Sequence, residues 1–206
     1  MTRLLITRHG ETQWNTEKRM QGRSDSPLTA HGIWQAQQLA KRLKDERIDA
    51  IYSSPTPRAA RTAEILKGSR SLKVQLLDNL MEIDLGDWEG QNFSEVDRLF
   101  PEQSHAFWHA PDLYHRDGVE SYHDVRERLV GVIQRIVKAH PDQTVLMVSH
   151  SVATKTLMAY FEGRPFEKLW DPPVMETTAL NIIEATPDAY RIVMYADASH
   201  TRRKVS

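Results

Sequence analysis

Thr144-Val145-Leu146-Met147-Val148-Ser149 is an unbroken, largely β-branched and apolar run, and the residue that follows it is His150. A short apolar run of this kind reads as a strand buried on both faces. Near the N-terminus, Arg3-Leu4-Leu5-Ile6-Thr7 repeats the pattern and ends at Arg8-His9-Gly10. Two buried strands therefore each deliver a histidine to their C-terminal end.

Working outward from these runs, strands and helices alternate. Between residues 29 and 45, Ile33, Ala36, Leu39, Ala40 and Leu43 recur at helical spacing, with Thr29 available as N-cap. Residues 49 to 53 read as a second strand, and Ser54-Pro55-Thr56-Pro57 opens a helix carrying Arg58, Arg61, Ala63 and Leu66. A third strand is expected over 74 to 77. Residues 80 to 90 hold too many glycines and acids for a regular element and read as a functional loop. Ser121 and Asp124 form a capping-box pattern ahead of Val125, Leu129, Val132, Ile133, Ile136 and Val137, an amphipathic helix that stops near His140-Pro141. The Thr144 strand leads through His150 into a helix ending near Tyr160, and two late strands fall over 179 to 183 and 190 to 195.

This alternation predicts an α/β fold, a three-layer αβα sandwich with a mostly parallel sheet and helices on both faces. A single domain over 1 to 206 is expected, because no repeat, linker or low-complexity segment divides the chain. Residues 92 to 119, rich in His, Pro and aromatics, read as a lid insertion over one end of the sheet. Ligands in such sheets bind where strands end and helices begin.

The formal charge of the 206 residues is −1, with charges scattered along the chain. No broad positive field is left for a nucleic-acid backbone, and only Arg202-Arg203-Lys204 clusters. A bound phosphate must be gripped by a few placed cations. The absence of cysteine excludes disulfides, thiolate metal ligands and a cysteine nucleophile. No run approaches the ~18 apolar residues of a membrane span, and the first residues lack a signal-peptide pattern. A cytoplasmic protein without a membrane or nucleic-acid partner is expected, its oligomeric state left open.

Arg8-His9, Arg58 and His150 all follow strand ends, and their convergence would build a positive pocket. Helix N-termini near Thr56 and Ser151 would add unpaired N–H groups, which favour an anion there. His31-Gly32 repeats the His9-Gly10 dipeptide but lies in the first turn of a helix with no arginine before it, and reads as a capping or surface feature.

The run Arg8-His9-Gly10-Glu11-Thr12 with Trp14-Asn15 resembles the signature of the histidine phosphatase superfamily, the phosphoglycerate-mutase-like proteins. Further matches follow in order: Met20-Gln21-Gly22, Ser26-Pro27-Leu28-Thr29 with Gly32, Ser53-Ser54-Pro55 with Arg58-Ala59, Leu80-Met81-Glu82 with Gly86-Asp87-Trp88-Glu89-Gly90, and Ser149-His150. The resemblance implies a phosphoglycerate-mutase-like fold and a phosphatase acting on small phosphorylated substrates, with neither metal nor cofactor. His9 would be the nucleophile and Glu82 the proton donor. Arg8, Arg58 and a protonated His150 would surround the phosphate, with Asn15, Gln21 and Gly22 assisting.

The sequence departs from the family pattern in three places. Ser151 follows His150 where glycine is usual, and Met81 precedes Glu82 where many members carry a polar or basic residue. The stretch between Glu82 and His150 is shorter and less basic than in cofactor-dependent mutases, which favours hydrolysis. A cofactor-dependent phosphoglycerate mutase and a non-catalytic phospho-ligand binding protein are the alternatives, and loss of His9 or Glu82 would have signalled the second. His105 and His109 have the spacing of a zinc pair but lack the intervening glutamate of a zincin. Phe107, Trp108 and Tyr114 either pack the insertion or line a leaving-group cavity. Thr154-Lys155-Thr156 lacks the glycines of a nucleotide loop, so Lys155 reads as a helix-surface residue. Ser151 lacks the surroundings of a hydrolase nucleophile.

Overall fold

A computed structural model describes residues 1–202; Arg203 and Lys204 of the C-terminal basic run lie outside the described residues. Six strands form one sheet: β1 (Thr2–Arg8), β2 (Ala50–Ser53), β3 (Val74–Leu76), β4 (Thr144–Ser149), β5 (Leu180–Ala185) and β6 (Tyr190–Asp197). Their order is β3-β2-β4-β1-β5-β6. The β3-β2-β4-β1 part is parallel, while β5 and β6 add an antiparallel edge beside β1. The mostly parallel sheet expected from the alternation of elements is thus present.

Side chains of the two central strands alternate between two cores. Leu4, Ile6, Val145 and Met147 face one, where α6 (Tyr122–Ala139) and α7 (Ser151–Glu162) pack. Leu5, Leu146 and Val148 face the other, covered by α2 (Ala30–Arg42) and α3 (Pro57–Lys67). Burial on both faces explains why β4 reads as a continuous apolar run rather than an alternating one. Thr29 caps α2 through Gly32 N, and Ser121 with Asp124 forms the expected capping box on α6.

Three short helices have no counterpart in the sequence reading. α1 (Gln13–Thr16) lies in the loop after β1, and α4 (Phe93–Leu99) and α5 (Pro101–His109) fill much of the 92 to 119 segment. α4 buries only Val96, and α5 only Ser104 and Phe107. So few inward residues leave no helical period to detect. The 80 to 90 stretch is irregular as expected, with short 3-10 turns at Asp78–Leu80 and Gly86–Trp88. Trp88 anchors it, fully buried against Phe100, Phe107 and Tyr114.

Candidate active site

β1 and β4 are neighbours in parallel register, with Arg8 opposite Ser149. The residues that follow, His9 and His150, therefore emerge side by side: His9 N–H donates to Ser149 O at 3.0 Å, and the two rings lie 5.2 Å apart. The loop after His9 must turn sharply onto α2. A Cβ at Gly10 would sit 2.5 Å from Gly32 O, and one at Gly32 would sit 2.0 Å from Glu11 O. Gly32 thus serves close packing beneath the site, while His31 is exposed and stacks on Trp34.

His9 Nδ1 lies 2.7 Å from Gly10 O, an acceptor only, so Nδ1 carries the proton and Nε2 keeps its lone pair. Arg58 Nε–H points at that lone pair from 3.3 Å. Burial holds the imidazole well below its ordinary pKa, and the charges of Arg58 and Arg8 add to the effect. His9 is a neutral base with a defined tautomer.

Arg58 is delivered by the first turn of α3, its side chain wholly buried. It donates to Ser24 O (2.5 Å), Gly22 O (2.7 Å), Asp25 Oδ1 (3.2 Å) and His150 Nδ1 (3.2 Å). His150 Nε2 then carries the proton and donates to Ser54 Oγ at 2.8 Å. The protonated His150 expected from the sequence is corrected here. Burial, followed by Arg58 and His9, pushes its pKa well down, and Nδ1 is already an acceptor. Arg8 donates from Nη1 to Met175 O at 2.9 Å, while its buried Nε has no protein acceptor. Burial lowers the Arg8 pKa to about 10, which leaves it charged at neutral pH.

Both helix N-termini already bind carboxyl groups of the protein, where the sequence led one to expect unpaired N–H groups. Val152 N and Ala153 N, in the first turn of α7, donate to Glu82 Oε2 and Oε1 at 3.0 and 2.9 Å, and Ile83 N adds a third bond at 3.0 Å. At the start of α3, Arg58 N donates to Asp25 Oδ1. In each case a carboxyl group of the protein occupies the helix end. Arg128 supports the Glu82 turn from behind, donating to the carbonyls of Asn79 (2.9 Å), Met81 (2.8 Å) and Glu82 (3.0 Å) and pairing with Glu120.

Asn15 and Gln21 both line the cavity. Asn15 Oδ1 caps α1 by accepting from Thr12 N, whereas the buried Gln21 Oε1 has no protein donor. Gly22 adopts φ +52, and a Cβ there would lie 2.1 Å from Glu89 Oε1. That closeness lets Glu89 collect Arg23 N (2.8 Å), Ser24 N (2.8 Å) and Leu85 N (3.2 Å), tying the 22 to 25 loop to the Glu82 loop. Glu89 and Asp25 organise the site from loops without periodicity; the sequence assigned no role to either.

Together these residues close a cavity of about 590 Å³. One end holds Arg8, His9, Arg58 and Glu82, and the other is walled by Met20, Leu85, Phe93, Phe107, Trp108 and Trp170. Phe107 and Trp108 therefore line the cavity, while Tyr114 packs in the core against Trp88 and Phe107. Ser151 lines it at the start of a regular α7, and Met81 is not part of the wall. Lys155, expected on the surface, is 1% exposed and lines the cavity as well. The reason is that α7 is buried nearly all round, from Val152 to Ala159, so it has no polar face. His105 and His109 are exposed on α5, and among the described residues no cluster of three or more His, Cys, Asp or Glu is placed to hold a metal. No helix among them is long and apolar enough to cross a membrane.

The model of the histidine phosphatase superfamily (branch 1) matches residues 4–198. Phosphoserine phosphatase 1 of Hydrogenobacter thermophilus is 35% identical over 170 residues, covering 82% of this chain and 81% of that protein. The uncharacterized phosphatase PhoE of Bacillus subtilis is 32% identical over 204 residues, 97% of each chain. Among solved structures, Bacillus stearothermophilus YhfR superposes with a TM-score of 0.96 at 44% identity, over 98% of this chain and all of that one.

Proposed function

The chain belongs to the histidine phosphatase superfamily, and from that premise we propose that it hydrolyses small phosphomonoesters through a phosphohistidine formed on His9. The observation that carries the reading is the His9 imidazole, neutral, with Nδ1–H fixed on Gly10 O and an unprotonated Nε2 that accepts from Arg58 Nε–H, in a cavity lined by two arginines. In the first step Nε2 attacks phosphorus, the N–P bond forms, and the ester P–O bond breaks. Glu82 gives the departing oxygen its proton. In the second step the Glu82 carboxylate takes a proton from water as the water oxygen attacks phosphorus, and the N–P bond breaks to release phosphate.

Phosphoryl transfer asks chiefly for positioning and for neutralised charge on the equatorial oxygens. Arg8 and Arg58 supply two fixed positive charges and Gln21 lines the same cavity, while His150, its N–H held on Ser54 Oγ, supports Arg58 through Nδ1, so the reaction is read as metal-independent. A single domain, closed over the leaving group by α4 and α5 as a lid, and a cytoplasmic location complete the proposal.

A mutase must hold a second acidic group of its substrate. The further cations lining the cavity are Arg19 and Lys155. Arg19 is paired with Glu17 (2.6 Å) and Gly90 O (2.7 Å), and Lys155 with two carbonyls. Hydrolysis is therefore preferred over isomerisation. The test is to follow phosphate release from a panel of monoesters, 3-phosphoglycerate included, after exhaustive chelation. Sustained release without 2,3-bisphosphoglycerate is expected. Isomerisation strongly stimulated by that compound, or activity restored only by added metal, would overturn the reading.

A further inference from the structure

Lys155 is the one deeply buried cation of the cavity that the proposed chemistry leaves without a task. It sits in the middle of α7, its Nζ donating to Asp171 O at 2.6 Å and Pro173 O at 2.7 Å and lying 5.4 Å from the Tyr195 ring centroid. Desolvating an ammonium is costly, and an apolar side chain of the same length would avoid that cost. What the lysine adds is two directed, charge-assisted bonds, both to one segment.

That segment is a wall of the cavity. It begins at Trp170, whose Nε1–H donates to Phe107 O at 3.0 Å, and continues through Val174 to Thr177. Its far end is held without Lys155: Met175 O accepts from Arg8, and Thr178 N lies 3.2 and 3.3 Å from the carbonyls of Arg8 and His9. The near end, at Asp171 to Pro173, depends on Lys155 from inside and on Arg164 from outside, which donates to Asp171 O at 3.0 Å.

We propose that Lys155 is a positioning residue that fixes Trp170 and Val174 as the leaving-group wall, setting KM for bulky esters without touching the phosphate. The proposal rests on the phosphomonoesterase reading above. It also carries a pH signature. Burial, with the repulsion of Arg164, lowers the Lys155 pKa to about 8, against the opposing charges of Glu162 and Asp171 and with the Tyr195 ring facing it from β6. The ammonium, and the strength of both bonds, is present below that pH and lost as pH rises through it.

Lys155→Met and Lys155→Arg are compared with the parent protein, using 1-naphthyl phosphate as substrate and inorganic phosphate as competitive inhibitor. Losing these bonds in Lys155→Met should raise KM roughly tenfold. The inhibition constant of phosphate and kcat should stay within about threefold, and amide-exchange protection should fall selectively over 170 to 177. In the parent, KM should climb between about pH 7.5 and 9.5 while phosphate inhibition holds steady; Lys155→Arg, which keeps its charge, should flatten that climb. KM and the phosphate constant rising together, or a KM indifferent to the Lys155→Met change, would overturn the proposal. If Lys155→Met fails to fold, the parent's pH comparison decides, and a flat KM counts against it. If the parent hydrolyses no ester, the phosphatase reading falls, and unchanged exchange over 170 to 177 in Lys155→Met would then overturn the positioning role separately.

Discussion

The two ends of the cavity are built in different ways. At the phosphate end, His9 and His150 leave adjacent parallel strands, Arg58 enters from the first turn of α3, and Glu82 is clamped by three backbone N–H groups. His9, Arg58, His150 and Glu82 have fixed partners within the protein, while Arg8 Nε and Gln21 Oε1 have none. The leaving-group end is assembled from short helices and an irregular segment, Phe93, Phe107, Trp108, Trp170 and Val174, and its contacts are mostly apolar. One end is a hydrogen-bonded electrostatic site and the other a largely aromatic wall. Under the proposed function, reactivity and substrate choice fall to separate parts of the chain, so mutations at the two ends should separate kcat from KM.

The largest split is expected at Glu82. Glu82→Gln keeps the side chain's size and should lower kcat by roughly 10² to 10⁴ with an alkyl phosphate, and by much less with p-nitrophenyl phosphate, whose leaving group needs no proton. Equal losses with both esters would remove the general-acid role. Arg58→Ala should cost roughly 10² to 10³ in kcat, the usual loss for a group stabilising developing charge. A change confined to KM would place Arg58 in binding alone. At the opposite end, Trp108→Ala should raise KM for 1-naphthyl phosphate by about tenfold through lost apolar contact, with phosphate inhibition unchanged. If kcat fell instead, the two ends would not be separable.

The smallest effect is on pH. Because burial, Arg58 and Arg8 hold the His9 pKa well below 6.5, the neutral imidazole that the proposed attack needs is present at pH 6.5 and is lost only on further acidification. The acid limb of kcat/KM should lie clearly below 6.5 and move upward in Arg58→Ala, which removes the neighbouring charge that acts more strongly on His9. An acid limb at or above 6.5 in the parent protein would contradict the environment described for His9.

The same division decides how much was legible in the sequence. The phosphate end follows from strands whose apolar runs are unmistakable: β1 ends at Arg8-His9, which line the cavity, and β4 leads to His150, which accepts from Arg58 beside them. Parallel pairing then brings them together with no further information. The helix termini behind them misled, because an anion-binding N-terminus does not reveal which anion fills it; here Glu82 and Asp25 do. The charge of His150 was equally out of reach, as it depends on Arg58 donating to Nδ1. At the other end, α4 and α5 bury too few residues to generate a period. Lys155 was misread because a lysine on an ordinary helix faces water, and only the packing of α7 shows that this helix has almost no exposed face.

The most direct test of the central claim is to trap the intermediate. During turnover of a substrate labelled at phosphorus, the protein is quenched in alkali and digested, and the label is mapped. A base-stable, acid-labile label on His9, absent from His9→Ala together with all turnover, is the expected result. An acid-stable label, or a base-stable label on His150, would contradict the assignment of His9 as the nucleophile.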